Sequence, residues 1–254
     1  MASTNTAIEW TDKTWNPTTG CNKVSPGCKH CYAEALTKRF RNHFENGFDF
    51  TLHPERLDEP RRWRKPSRVF VNSMSDLFHE RMPFDFLQEV FRVMEECPWH
   101  VFQILTKRHE RMLELAPELN WPENVWMGVS VENRDYAHRV DYLRQVPAAV
   151  RFLSCEPLIG PLSLNLEGIH WVIVGGESGP KHRPIEASWV RDIREQTRAT
   201  GAAFFFKQWG GVRPKSGGRE LDGRTYDEMP EAYLAHMKRW DEEAARGLRV
   251  AARS

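Results

Sequence analysis

The chain has 254 residues, 40% hydrophobic and 28% charged, with a formal net charge of +1. That length suits one large domain with ample core material, since single α/β barrels commonly reach this size. The near-zero charge argues against a disordered polyelectrolyte and against a surface that coats nucleic acid through bulk charge. The five cysteines are too unevenly spread for a secreted disulfide framework. No apolar run approaches the roughly 18 residues of a membrane-spanning helix, and the polar opening MASTNTAIEWTDKTW lacks a signal-peptide core. These features predict a soluble, cytoplasmic protein with no membrane partner.

In chain order, a short strand is predicted over residues 13–17, leading into three closely spaced cysteines, Cys21, Cys28 and Cys31. A helix follows over 32–44. Residues 47–67 read as an irregular insertion, because Pro54, Pro60 and Pro66 break any periodicity. This insertion carries Arg61, Arg62, Arg64 and Lys65 around Trp63, a basic and aromatic knot able to contact phosphate or simply to form a solvated turn.

From residue 68 onward, short apolar runs rich in β-branched and aromatic residues alternate with amphipathic stretches. Strands are predicted at 68–72, 100–106, 125–131, 150–155, 170–176 and 202–208, with helices at 84–96, 134–145 and 186–200. Strands that are apolar throughout must be covered on both faces, which implies parallel strands flanked by helices. The predicted fold is therefore α/β, a full or partial βα (TIM-like) barrel, with a doubly wound open sheet as the alternative. The barrel is expected to occupy residues 1–211. Residues 212–254 are expected to form a loop or short hairpin outside the core, then a helix.

Active sites of barrels gather at the carboxyl ends of the strands. Here the apolar runs end in Asn72, Ser73, Ser75 and Asp76, then Thr106, Lys107 and Arg108, then Ser130, Glu132 and Asn133. The later runs end in Ser154, Cys155 and Glu156, then Glu177 and Ser178, then Lys207 and Gln208. A shared polar cavity is the expectation, and the competing reading is that several of these groups are ion pairs, Lys107 or Lys207 with Glu132 or Glu177. The glycine-rich turn at 175–180 allows close backbone approach, with Glu177 as an acceptor, but it matches neither a dinucleotide nor a P-loop pattern.

Three thiols in C-x6-C-x2-C spacing are metal ligands with one ligand missing. Thiolates hold zinc in closed four-ligand sites, and His30, His43 or His53 could supply the fourth ligand. They also hold iron-sulfur clusters, where three protein ligands leave one iron open. The zinc reading makes the chain a nucleic-acid-binding or partner-binding protein without catalysis. Cys155, at a strand end, is either a hydrogen-atom donor or a small core residue, and Cys97 beside Pro98 is structural.

The segment CKHCYAE resembles the cluster loop of radical S-adenosylmethionine enzymes, whose first spacing is usually three residues instead of six. With TGCNKVSPGCKHCYAE, VNSMSDLFH, LTKR, GVSVEN, RFLSCEPLIGPL, VGGESGP and FFFKQWGG, the chain is similar to a divergent, phage-associated "three-Cys-motif" branch of that superfamily. The resemblance implies a 4Fe-4S cluster on Cys21, Cys28 and Cys31, S-adenosylmethionine on the open iron, an electron donor, and a 5'-deoxyadenosyl radical acting on a substrate, with a nucleic acid or nucleotide as the favoured class. His30 would occupy the aromatic position beside the adenine. The family's GGE element follows its second strand, whereas here the only GGE lies late, at residues 175–177. The candidates for cofactor binding are His30, Tyr32, Asn72, Ser73, Ser75, Asp76, Glu132, Glu177, Ser178 and Lys207, and those for catalysis are Cys155, Lys107 and Glu156.

Overall fold

A computed structural model describes residues 6–246. Its frame is a seven-stranded, wholly parallel sheet. The strands are β1 (Lys13–Trp15), β4 (Arg68–Val71), β5 (Val101–Thr106), β6 (Val125–Ser130), β7 (Arg151–Cys155), β8 (Trp171–Gly175) and β9 (Ala203–Gln208). Two short strands, β2 (Thr18–Thr19) and β3 (Thr51–Leu52), pair separately as an antiparallel ribbon.

Spatial order follows chain order, β1-β4-β5-β6-β7-β8-β9. This excludes the doubly wound alternative, in which strand order reverses midway. A single winding direction with right-handed crossovers puts the helices on one face, and β1 and β9 are not paired with each other. The fold is thus a partial βα barrel.

Two apolar clusters follow from the period of two along each strand. Outward residues Val69, Val71, Phe102, Ile104, Met127, Val129, Leu153, Val172 and Val174 pack in one cluster with helix residues such as Leu87, Val90, Leu143 and Ile193. Inward residues Phe70, Trp126, Phe152, Trp171, Ile173 and Phe205 form a second cluster with Trp10. The inner cluster is largely aromatic, with Trp10 centred 4.7 Å from Phe70 and 6.2 Å from Trp171. Gly128 belongs to this inner face, and the Phe152 ring lies against it, so that a Cβ there would stand 2.6 Å from ring carbons.

The helices form where an apolar stripe meets the sheet. In α2 (Phe84–Glu96), Leu87, Val90, Phe91 and Met94 are buried at helical spacing, and the helix stops before Pro98. In α5 (Ala187–Thr200), Val190, Ile193 and Thr197 are buried and Gly201 closes the helix in the left-handed region at φ 75°. Predicted helices at 32–44 and 134–145 are shorter than expected. The first is α1 (Tyr32–Arg39), broken at Phe40, whose φ of −114° and ψ of 49° leave the helical region. The second splits into a 3-10 turn, Arg134–Tyr136, capped by the Asn133 side chain, and α4 (Arg139–Arg144). A further helix, α3 (His109–Leu115), went unpredicted because it buries Met112 alone and carries no readable stripe.

The expectation that residues after 211 lie outside the core is corrected. Leu221 and Tyr226 are buried in the outer cluster, and the segment pairs with the free edge of β9, where Phe206 N donates to Tyr226 O (3.0 Å) and Glu228 N to Phe204 O (3.2 Å). Met229 and then Tyr233 of α6 (Glu231–Ala245) pack against the inner aromatic cluster. Covering an exposed edge and an apolar floor removes two liabilities of an open barrel. No helix among the described residues is long and apolar enough to cross a membrane.

Filling the space beside Gly128 tests the inner packing. Gly128→Val should lower unfolding free energy by about 2 kcal/mol through overpacking, measured by urea denaturation, and Phe152→Leu in the same chain should restore part of the loss.

Candidate functional site at the carboxyl mouth of the sheet

Strand parity decides which polar strand ends face inward. On β5, β6, β7 and β9 the inner series continues through Lys107, Ser130 and Glu132, Ser154 and Glu156, and Lys207. On β8 it continues through Gly175 to Glu177. These residues form a polar rim above the aromatic floor. Cys155 has the opposite parity: it is fully buried in the outer, helix-facing cluster, and burial pushes its thiol pKa up. A hydrogen-donor role for Cys155 is therefore corrected to core packing, since its thiol faces away from the rim.

The ion pairs differ from the expected combinations. Glu132, at 0% side-chain exposure, pairs with Arg139 of α4 (2.9 Å), which also donates to the Ser130 carbonyl (2.8 Å) and stacks on Tyr136. Glu177 is gripped by Arg183 through Nε (3.0 Å), Nη2 (2.6 Å) and the backbone amide (2.9 Å). Lys207 pairs with Glu156. Lys107 donates to Ser130 Oγ at 3.0 Å and forms no ion pair among the described residues.

The cysteine loop is tied across this rim. Ser25 O–H donates to Glu132 Oε1, and Gly27 lies so close to the same side chain that any Cβ would collide with it. His30 Nδ1 stands 3.0 Å from Glu177 Oε2. An ionised carboxylate can only accept, so Nδ1 carries the proton. Tyr32 O–H donates to the Ser73 carbonyl. Gly20 N donates to Met74 O (2.9 Å), Cys21 N to Phe48 O (3.1 Å), and Asn22 bridges Glu80 (3.0 Å) and Arg108. The loop thereby spans the ends of β4, β6 and β8.

Other expected site residues serve the scaffold. Asn72, buried at φ 59°, holds Thr18 through both amide atoms, and Ser75 accepts from Thr18 Oγ1 (2.9 Å). Ser73 Oγ donates to Asn16 Oδ1 (3.2 Å). Asp76 accepts from Thr106 Oγ1 (2.7 Å) and the amides of Phe78 (3.0 Å) and Lys107 (3.1 Å), stitching the turn after β4 to the end of β5. Ser178 accepts from Gln208 (3.0 Å). Sequence reasoning missed Ser25, Arg139 and Arg183. Ser25 sits inside the cysteine loop, where a serine alone is no signal, and Arg139 and Arg183 lie seven and six residues beyond the carboxylates they hold.

All three loop thiols are free and partly buried. Burial, and next the neighbouring Asp76 carboxylate, push the Cys21 thiol up to about 11 against the pull of a hydrogen bond from Arg108. A metal would thus have to displace its proton. The donor set suits an iron-sulfur loop with one open iron. Among the described residues no three His, Cys, Asp or Glu side chains converge on a common point, so the thiols would have to move together to hold a metal. Of the histidines that could complete a zinc site, His53 has both nitrogens engaged, with Thr19 (2.9 Å) and Glu55 (3.0 Å), and His30 is held by Glu177.

The basic knot lies at the opposite, amino end of the sheet. Trp99, just before β5, donates to the Trp63 carbonyl (2.9 Å), Lys13 at the start of β1 sits 5.3 Å over the Trp63 ring, and Arg61 is paired with Glu96 and Asp58. It contributes no side chain to the mouth.

The profile of a family described as "Protein of unknown function (DUF5131)" matches residues 5–230. The chain belongs to that family. No curated protein matches it. Among solved structures it is similar to spore photoproduct lyase complexed with dinucleoside spore photoproduct, at 13% identity and TM-score 0.44, over 92% of this chain and 74% of that one. A double mutant of that lyase with bound AdoMet and dinucleoside spore photoproduct gives 13%, 0.46, 92% and 74%, and a single mutant gives 14%, 0.47, 96% and 77%.

Two measurements test the anchors. Burial opposes ionisation of Glu177, but the hydrogen bonds from Arg183 and His30 outweigh it and hold the carboxyl at about 2. Because the folded value is depressed, the contribution is complete above an unfolded value of about 4.5 and disappears as pH falls toward 2. Glu177→Gln should therefore cost about 2 kcal/mol at pH 7 and progressively less below pH ~4.5, read from urea midpoints across pH. Arg139→Met, which strands the buried Glu132 charge, should cost about 3 kcal/mol or more, and adding Glu132→Gln should recover a large part of it.

Proposed function

We propose that this chain is an iron-sulfur enzyme of the radical S-adenosylmethionine type. The observation that carries the reading is the fastening of a three-cysteine loop over the polar carboxyl mouth of a parallel βα half-barrel by Ser25–Glu132, His30–Glu177 and Tyr32–Ser73. Cys21, Cys28 and Cys31 would hold the cluster. When bound and reduced by an external electron donor, a 4Fe-4S cluster with S-adenosylmethionine supplies a 5'-deoxyadenosyl radical able to abstract hydrogen from a substrate.

The chain's own residues have three tasks in this scheme. Glu177, fixed by Arg183, holds the His30 ring between the second and third cysteines, where it can orient a flat group beside the loop. The packed aromatic layer of Trp126, Phe152, Trp171 and Phe205 would keep water from beneath the rim, which protects reactive species. Glu156, Lys207, Lys107 and the rim hydroxyls orient whatever enters from above. The late position of the 175–177 glycine turn puts it at the end of β8, beside Glu156, whose carboxyl carbon would lie 3.2 Å from a Cβ on Gly175.

Anaerobic reconstitution should yield about four irons and four sulfides per chain, with 5'-deoxyadenosine formed only on dithionite reduction, and Cys28→Ala should lose both. Protein carrying one zinc and no acid-labile sulfide would overturn the assignment.

A further inference from the structure

The outer face of α1 leaves apolar side chains in water. Of the six large apolar side chains exposed among the described residues, four lie in one stretch of chain: Val24 in the cysteine loop, then Tyr32 (52%), Leu36 (37%) and Phe40 (44%). Tyr32, Leu36 and Phe40 recur every four residues and so line one side of the helix, while Ala33 and Thr37 bury the other. Phe40 closes α1 and still donates its amide to Leu36 O (2.9 Å). At 1.5 Å per residue the stripe runs for about 12 Å. Its two rings are tethered: the Tyr32 hydroxyl donates to the Ser73 carbonyl at the mouth. The Phe40 ring meets His43 edge-on at 6.3 Å and lies 5.3 Å from the Arg39 guanidinium.

The charge around this stripe is one-sided. Residues 23–41 carry Lys23, Lys29, Lys38, Arg39 and Arg41 against a single carboxylate, Glu34, in a chain whose whole net charge is +1. Glu34 takes Lys23 (3.1 Å) and Lys38 (2.6 Å). Lys29, Arg39 and Arg41 are exposed and form no ion pair among the described residues. Beyond Phe40 opens a cleft of about 350 Å³, whose walls include Asn42, His43, Asn46, Glu55 and Arg56. It mixes donors and acceptors, as the edge of a nucleobase does. Exposed rings set among unpaired cations suit a single strand of nucleic acid, because bases stack on the rings while phosphates meet the cations. A protein partner would favour a surface poorer in lysine.

We infer that the outer face of α1, from Tyr32 to the cleft beyond Phe40, is a track for single-stranded nucleic acid, DNA or RNA. Lys29, Arg39 and Arg41 neutralise phosphates, Tyr32 and Phe40 stack bases, and the cleft receives a base edge. The track lies outside the mouth, starts where the cysteine loop ends, and needs no cluster.

The test is fluorescence anisotropy of labelled thymidine and uridine oligonucleotides of about 12 nucleotides, titrated with the full-length protein, with iron and sulfide assayed on the same sample. Saturable binding is expected at about 50 mM salt and should weaken about twentyfold at about 200 mM, as three neutralised phosphates require. Phe40→Ala should weaken binding about tenfold, and Phe40→Trp should retain it. Arg39→Gln with Arg41→Gln should cut the salt effect to about threefold. Changing the knot at the amino end, Arg62→Gln with Arg64→Gln and Lys65→Gln, should leave binding as it was. A tighter thymidine complex identifies DNA, a tighter uridine complex RNA, and equal affinities a track that does not read the sugar. No saturation at the lower salt, parental binding by Phe40→Ala, or loss of binding in the knot variant overturns the track. Polyglutamate binding as tight as the oligonucleotides would overturn it in favour of an acidic protein, and a dimer that Phe40→Ala dissociates in favour of a second copy of the chain. Because the oligonucleotides need no cluster, normal binding with a failed iron assay removes the cluster reading alone. A loaded cluster without oligonucleotide binding removes the track alone.

Discussion

The mouth depends on two buried carboxylates that are each held from behind by an arginine. Glu132 meets Ser25 of the cysteine loop through Oε1 and Arg139 through Oε2, whereas Glu177 takes His30 and Arg183 together on Oε2 and Arg183 again on Oε1. Burial alone would push the Glu177 carboxyl toward the neutral form, and Arg183 with His30 keeps it ionised; a neutral acid is a poor anchor for a histidine N–H. Each arginine is in turn fixed by the fold: Arg139 by a carbonyl of β6 and the Tyr136 ring, Arg183 by its own amide on the acid it grips. The loop's position is therefore set by a relay running from helix or turn, through a buried ion pair, to a strand end.

This relay explains how a loop with an unusually long first gap can remain ordered. The six residues between Cys21 and Cys28 are tied at Asn22, at Ser25 and by the close contact at Gly27. Asn22 faces the turn after β4 and the β5 end through Glu80 and Arg108, and Ser25 faces β6. The additional length lets the loop reach across several strand ends. A tighter loop would have fewer positions from which to reach them.

Much of the frame was legible because the strands are buried on both faces and so read as continuous apolar runs bounded by turns. RVFV, VWMGVS and WVIVG fall where expected, since few other structures tolerate such density of β-branched and aromatic residues in so few positions. The short α3 left no such trace, because one buried methionine does not make a period. In the mouth, residue types were informative and partnerships were not. Parity could have separated Cys155 from Glu156, since adjacent residues on a strand face opposite ways. Nothing local reveals that Arg139 belongs to Glu132 or Arg183 to Glu177, because those contacts arise only when a crossover folds back on its own strand. The place of the basic knot follows from the same topology: it precedes a strand, and a parallel sheet sends whatever precedes its strands to the end away from the mouth.

The two tiers of the inner face, a ring of tryptophan and phenylalanine below and lysine, serine and glutamate above, also define a direction. Over the roughly 13 Å between the Phe152 and Glu156 levels, four residues along the strand direction, the surroundings change from hydrocarbon-like to strongly polar. A charged group placed at the lower level would lose its hydration without gaining a partner, whereas at the upper level partners are at hand. The inner face of the half-barrel thus carries a built-in polarity along its strands, apolar at the base and charged at the end that the cysteine loop spans.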